Sequence, residues 1–184
     1  FDLDYDARDR DNDGGAGTSS DNHATAVSGM ITGRIDGQGS VGIAPDAQIA
    51  SYRLGFGAAH QVSQVADAFD QARAAGADIL NNSWGWGGYF YDNLANYPFT
   101  GSARAMEDLA EQGRGGLGTI LTFAAGNDRS SGQNVNYHGY QNSPYTITVG
   151  SVDRYGNTSY FSTPGAAILV AAPGSSVTTT DRPG

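Results

Sequence analysis

The chain contains no cysteine and no lysine, has only two methionines, and lacks any apolar run near the roughly 18 residues that a membrane span requires. Without cysteine there is neither a disulfide framework nor thiol chemistry. An exported protein of this kind needs another staple, and bound calcium is the usual alternative. All ten basic residues are arginine, set against 19 acidic ones, and the formal charge of −9 argues against binding a phosphate backbone. An acidic, lysine-free surface suits secretion into salty or alkaline surroundings. At 184 residues one substantial core suffices, and nothing in the length demands a second. No initiator methionine or leader-like segment is present; the chain opens at Phe1 among aspartates and stops at Gly184 in loop-like sequence. The expectation is an internal piece of a longer protein.

What is present reads as alternating strands and helices. Residues 1–21 are rich in aspartate and glycine and carry no hydrophobic period. From His23 to about Arg34, Ala26, Val27, Met30 and Ile31 recur at helical spacing behind Asp21 or Asn22 as a cap. A short strand is expected over 48–54. Val62, Val65, Ala66, Phe69 and Ala72 line one face of a helix over 60–75, which Gly76 stops. A strand over Ala77–Ser83 and a helix over 101–113 follow. The runs 117–125, 145–151 and 166–172 are apolar and β-branched, as buried parallel strands should be. The order implies an α/β domain with a parallel sheet. The aromatic, glycine-rich stretch from Trp84 to Phe99 suits a binding loop.

Sites in open parallel sheets form at the carboxyl ends of the strands. Two predicted strands end there in polar residues that packing would not choose. One runs into Asn81-Asn82-Ser83-Trp84-Gly85, the other into Ala124-Ala125-Gly126-Asn127-Asp128. His23 begins a helix. A histidine that takes a proton and an asparagine amide that donates to a developing negative oxygen are complementary parts of acyl transfer.

These stretches resemble the subtilisin-like serine proteases, and within them the kexin and furin branch. The block from His23 to Gly29 resembles the family's His-Gly-Thr-x-x-Ala-Gly motif, with Ala24 in place of a glycine. Asn82-Ser83-Trp84-Gly85, the run from Gly113 to Asn127, and Asn136-Tyr137-His138-Gly139-Tyr140-Gln141-Asn142-Ser143 follow in the family's order. The resemblance spans nearly all 184 residues. It implies a subtilisin-like three-layer α/β domain, incomplete here, with a mainly parallel sheet flanked by helices. Residues 1–184 would form the central part of a single catalytic domain. It also implies His23 as general base and acid, and Asn127 as side-chain donor of the oxyanion hole. Ser83, Trp84, Gly85, Ala124, Ala125 and Gly126 would wall the primary specificity pocket and pair with substrate backbone. The implied partners are protein or peptide substrates and a propeptide or inhibitor, with no nucleic acid and no membrane span. The implied location is extracellular, periplasmic or at the cell surface.

The triad aspartate is expected upstream of Phe1 and the serine downstream of the stretch from Val177 to Asp181. Gly17-Thr18-Ser19 precedes the histidine in a polar loop and has the wrong order for the nucleophile. Without serine no acyl-enzyme can form, so the chain by itself should be inert as a protease. The rival readings are a non-catalytic relative serving binding or assembly, and a calcium-binding extracellular module.

Two calcium loops are also expected. Asp9-x-Asp11-x-Asp13-Gly14 matches the first half of an EF-hand, but its twelfth position is Ser20 and no helix precedes it. By the resemblance, Asp6, Asp11 and Asp13 stand at ligand positions instead. The second loop is Gly33–Gly42, with Asp36 as side-chain ligand and carbonyls near Arg34, Gln38 and Ser40. Gly88 and His138 stand where kexin-type enzymes carry acidic selectors. Gln133 and Thr163 replace acidic ligands of a calcium beneath that pocket. Selection of basic residues thereby loses its physical basis, and a preference for apolar or aromatic side chains is expected.

Overall fold

A computed structural model describes residues 3–18, 21–56 and 61–181. Ser19, Ser20 and the expected helix start at His60 lie outside them. The chain divides into two compact units, residues 1–53 with 176–184, and residues 54–175.

In the first unit, β1 (Tyr5–Asp6) and β2 (Tyr52–Arg53) form a parallel pair, with Tyr5 opposite Tyr52 and Asp6 opposite Arg53. The strand expected over 48–54 shrinks to two residues, and an aspartate oxygen takes the amide just before it. Ser51 donates its amide to Asp4 Oδ1 at 2.6 Å, and Ser51 Oγ donates to the Gly14 carbonyl at 2.6 Å. Asp6 is 1% exposed. Arg53 Nη1 donates to its Oδ2 at 2.6 Å, and the amides of Arg8 and Asp9 donate to its Oδ1 at 2.8 and 3.2 Å. Helix α1 (His23–Thr32) stops at Gly33, two residues short of the expected Arg34. Asn22 occupies the cap position without a side-chain cap bond, while Asp21 Oδ2 accepts from the Thr18 amide at 2.9 Å. The hydroxyls of Thr179 and Thr180 donate to the carbonyls of Ala26 and Thr25. Gly29 is needed there, since a Cβ would lie 2.0 Å from Thr180 Oγ1.

The second unit holds a four-stranded parallel sheet in the order β3 (Ile79–Asn82), β4 (Ile120–Ala124), β5 (Thr146–Val152), β6 (Ile168–Pro173). Helices α2 (Val62–Ala74) and α3 (Thr100–Gly116) pack against each other, and α3 packs on β4. Val65, Phe69 and Ala72 from α2 join Ala105, Met106 and Leu109 from α3 over Leu80, Leu121 and Phe123. The apolar stripe on α2 is thus the expected one, with Ala68 added, and Gly76 at φ +71° ends it. Helical geometry in α3 breaks at Gly113–Gly115. There the Leu109 carbonyl accepts from the Thr119 amide and leads the chain into β4.

Alternation along β3 and β4 sends Leu80, Asn82, Leu121 and Phe123 inward. Ile79, at 60% exposure, and Ile120, at 43%, lie on the other face. β6 is an edge strand with Leu169 at 68% exposure. The expectation of a buried strand over 166–172 is therefore corrected: β6 is exposed along nearly all of its length. Among the described residues no helix is long and apolar enough to cross a membrane.

Replacing Arg53 by methionine would leave the buried Asp6 carboxylate without its cation, a change that costs about 3–5 kcal/mol in buried pairs. Urea unfolding of Arg53→Met should show a loss of about that size, and an unchanged midpoint would remove the pair from the unit's stability.

Candidate active site

The parallel register of β3 and β4 sets Asn82 opposite Phe123, so the segments leaving both strands start side by side. Asn82, 3% exposed, secures this juncture. Its Nδ2 donates to the carbonyls of Leu80 and Thr122 at 3.1 and 3.2 Å, and its Oδ1 accepts from Trp84 Nε1 at 3.2 Å. The Trp84 ring packs edge-on against Phe123 and Tyr140, each with centroids 5.2 Å away. One strand-end amide thereby orients the Ser83-Trp84-Gly85 wall. On the opposite wall Ala125 donates to the Val149 carbonyl at 2.9 Å, and Gly126 turns the chain at φ +93°. Asn127 follows with an exposed side chain.

Gln141 lies between the walls. Its Nε2 donates to the Ala124 carbonyl at 3.4 Å, and a Cβ built on Gly85 would lie 3.1 Å from the same nitrogen. The six expected wall residues are therefore brought together within the second unit. His23, the first residue of α1, is exposed and belongs to the first unit.

His138 is buried and paired. Its Nδ1 is 3.0 Å from Asp92 Oδ1, and Asp92 is 0% exposed. The Tyr140 amide donates to Asp92 Oδ2 at 3.5 Å. The pair fastens the aromatic loop 84–99 to the segment after the Gly126 turn, assisted by Tyr89, whose hydroxyl donates to the Ser131 carbonyl at 2.9 Å. Trp86 packs on Tyr91 and Phe99 as a loop core. Gly88 is exposed at φ +92°. Sequence reading missed Asn82, Asp92 and Gln141 as organising residues. A buried asparagine at a strand end was the one available signal, whereas Asp92 and Gln141 are identified only by their long-range partners.

The expected metal residues all lie in the first unit. Both oxygens of Asp6 are committed, to Arg53 and to two amides. Asp11 and Asp13 are exposed and each accepts from a nearby amide through Oδ1. Among the described residues no three acidic or imidazole side chains gather. As arranged, the Asp6 loop fits an arginine better than a divalent cation. In the Gly33–Gly42 loop, Gly33 and Gly42 are bonded to each other and Asp36 Oδ1 accepts from the Gln38 amide at 2.9 Å. Arg34 is exposed, and Ser40 Oγ is buried without a hydrogen-bond partner, so this loop retains an oxygen to offer.

Comparison with known proteins places these features in a family. The family model described as the subtilase family matches residues 2–183. A calcium-dependent protease of Trichormus variabilis is 33% identical over 171 residues, covering 89% of this chain and 25% of the relative. A dibasic-processing endoprotease of Schizosaccharomyces pombe is 31% identical over 156 residues, covering 84% of this chain and 21% of its own length. The chain thus spans about a quarter of the curated relatives it matches. The crystal structure of a cold-adapted subtilisin-like serine proteinase aligns with TM-score 0.71 and 24% identity over 96% of this chain and 56% of the other. That likeness establishes a subtilisin-like fold for the parallel sheet and its helices.

Burial pushes the Tyr140 hydroxyl, packed under the Trp84 wall, up to about 12, with the Asp92 charge adding to the shift. An unfolded tyrosine loses its proton near 10, so the stabilisation is complete below that pH and is lost as pH rises through 10 to 12. The slope attributable to Tyr140 is about 1.4 kcal/mol per pH unit in that window. Urea unfolding at stepped pH should show a shallower alkaline decline in Tyr140→Phe; identical slopes would refute the shift.

Proposed function

Because the chain belongs to the subtilase family, we propose that it supplies the base and the oxyanion donor of a serine endopeptidase. In this reading residues 1–184 are the central part of one catalytic domain, and the triad aspartate and serine come from sequence on either side. The observation that carries the reading is the pair of strand ends. β3 and β4 deliver Ser83–Gly85 and Ala124–Asn127 next to each other at the carboxyl edge of a parallel sheet, where acyl-transfer sites of this architecture form. The uncovered apolar residues Ile79 and Ile120 support a larger domain in which further chain packs on that face.

His23 takes the proton of the serine as it attacks the scissile carbonyl and returns it to the leaving amine. Asn127 Nδ2 donates to the oxygen that becomes negative, a contribution of about 2.7–4 kcal/mol to the transition state for a donor of this type. The substrate backbone lies against Ser83–Gly85 and Ala124–Gly126 as an added strand, while a propeptide or inhibitor competes for the same cleft. The pocket carries no acidic selector at 88 or 138, and the Asp92 carboxylate is buried against His138, which favours apolar or aromatic side chains over basic ones. Secretion suits the acidic, lysine-free composition.

Calcium belongs to this reading through the name of the Trichormus relative. Asp36, Ser40 Oγ and the carbonyls of Arg34, Gln38 and Ser40 are the oxygens that would hold it, where it would brace the loop after α1. Asp11 and Asp13 would serve a second ion only at the outer lip of the acidic loop.

Fluorophosphonate labelling of the full-length protein tests the activity. The expected result is covalent labelling that His23→Ala abolishes, with peptide-library cleavage after apolar and aromatic residues. Absence of labelling would identify a dead homologue, and cleavage only after arginine or lysine would overturn the specificity. Chelation should lower the melting temperature, and Asp36→Asn should remove most of that response; an unchanged melting temperature would remove both metal assignments.

A further inference from the structure

Asn127 can act on a developing oxyanion only if its peptide frame is held still, because a displacement of about 1 Å in such a group costs on the order of a hundredfold in rate. The residues on either side of it are pinned by one residue far along the chain, Gly126 through that residue's backbone amide and Asp128 through its hydroxyl. Thr163, 2% exposed, donates its amide to the Gly126 carbonyl at 3.0 Å and accepts from the Asp128 amide through Oγ1 at 2.9 Å. The Gly126 turn, at φ +93°, is also packed against it, since a Cβ there would lie 3.1 Å from Thr163 Oγ1. The strap that carries Thr163 is itself anchored. Ser162 Oγ accepts from the Ser151 amide of β5 at 3.0 Å, and the Pro164 carbonyl accepts from the Val135 amide at 2.9 Å. Arg129 reinforces the contact by donating its amide to the Phe161 carbonyl at 3.2 Å and its Nε to the Ser162 carbonyl at 3.0 Å.

We propose that Thr163 is the positioning residue for Asn127, fixing the peptide groups before and after it so that the amide meets the oxyanion without reorganisation. The proposal rests on the reading of Asn127 as the oxyanion donor. The hydroxyl is what matters chemically. Valine matches its shape but cannot accept from the Asp128 amide, whereas serine keeps the acceptor. Bracketing both neighbours of one residue leaves its backbone little rotation.

The test is a double-mutant cycle in the full-length protease, with Thr163→Val, Thr163→Ser and Asn127→Ala assayed for kcat and KM alongside melting temperatures. Asn127→Ala alone should lower kcat about 100- to 1,000-fold. Thr163→Val should lower kcat about 10- to 100-fold with KM changed less than about twofold, and Thr163→Ser should restore most of it. In the Asn127→Ala background, Thr163→Val should cost nothing further, because the group it positions is gone. An equal fold-loss in both backgrounds, a loss confined to KM, or no loss would overturn the proposal. An unchanged kcat in Asn127→Ala would instead overturn the oxyanion reading beneath it. Should valine disturb folding, Thr163→Ala carries the same comparison.

Discussion

The segments leaving β3 and β4 depend on one buried amide. Asn82 bonds across the sheet to the Thr122 carbonyl and forward to the Trp84 indole, so the end of β3, the end of β4 and the first wall residue are fixed by a single side chain. A buried polar group is tolerated at a strand end only when its donors and acceptors are met, and here three bonds meet them. Once the amide is satisfied, the aromatic cluster of Trp84, Phe123 and Tyr140 closes beneath it. The loops beyond inherit their direction from that cluster.

The same logic recurs in both units with charge in place of amide. Asp6 with Arg53, and Asp92 with His138, are carboxylates withdrawn from water and matched by a side chain 47 and 46 residues away, with backbone amides completing each set. The first ties the two short strands to the aspartate-rich loop, and the second ties the aromatic loop to the segment around His138. Taking a charge out of water is costly unless its partner is well placed, so such pairs restrict the loop to few arrangements. A chain without cysteine gains restraint in this way where disulfides would otherwise supply it.

What could be read in advance was local. The stripe of Val65, Phe69 and Ala72 with its glycine stop located α2, and the β-branched runs located β4 to β6 within a few residues. The polar residues ending β3 were a sign of long-range bonding, and Asn82 makes it, to the Thr122 carbonyl across the sheet. Pairing distant in sequence leaves no period to detect. Arg53 gave no sign that it would answer Asp6 across 47 residues. His138 read as a lost selector, without Asp92 behind it. The strand over 48–54 was overestimated, and propensity cannot show a side-chain oxygen taking the amide just before it. Burial of β6 was overestimated because hydropathy does not say whether a second face is covered.

The exposed β6 edge has a further meaning in terms of self-association. An edge strand offers unpaired amides and carbonyls to any extended chain, and the solvent-facing Leu169 and Val170 make that offer apolar as well. Pro173, at the end of the β5–β6 ladder, lacks an amide proton and so blunts the last position of the edge. That proline sits where an added strand would otherwise extend the ladder, so the chain's own sequence limits how far the edge can be continued.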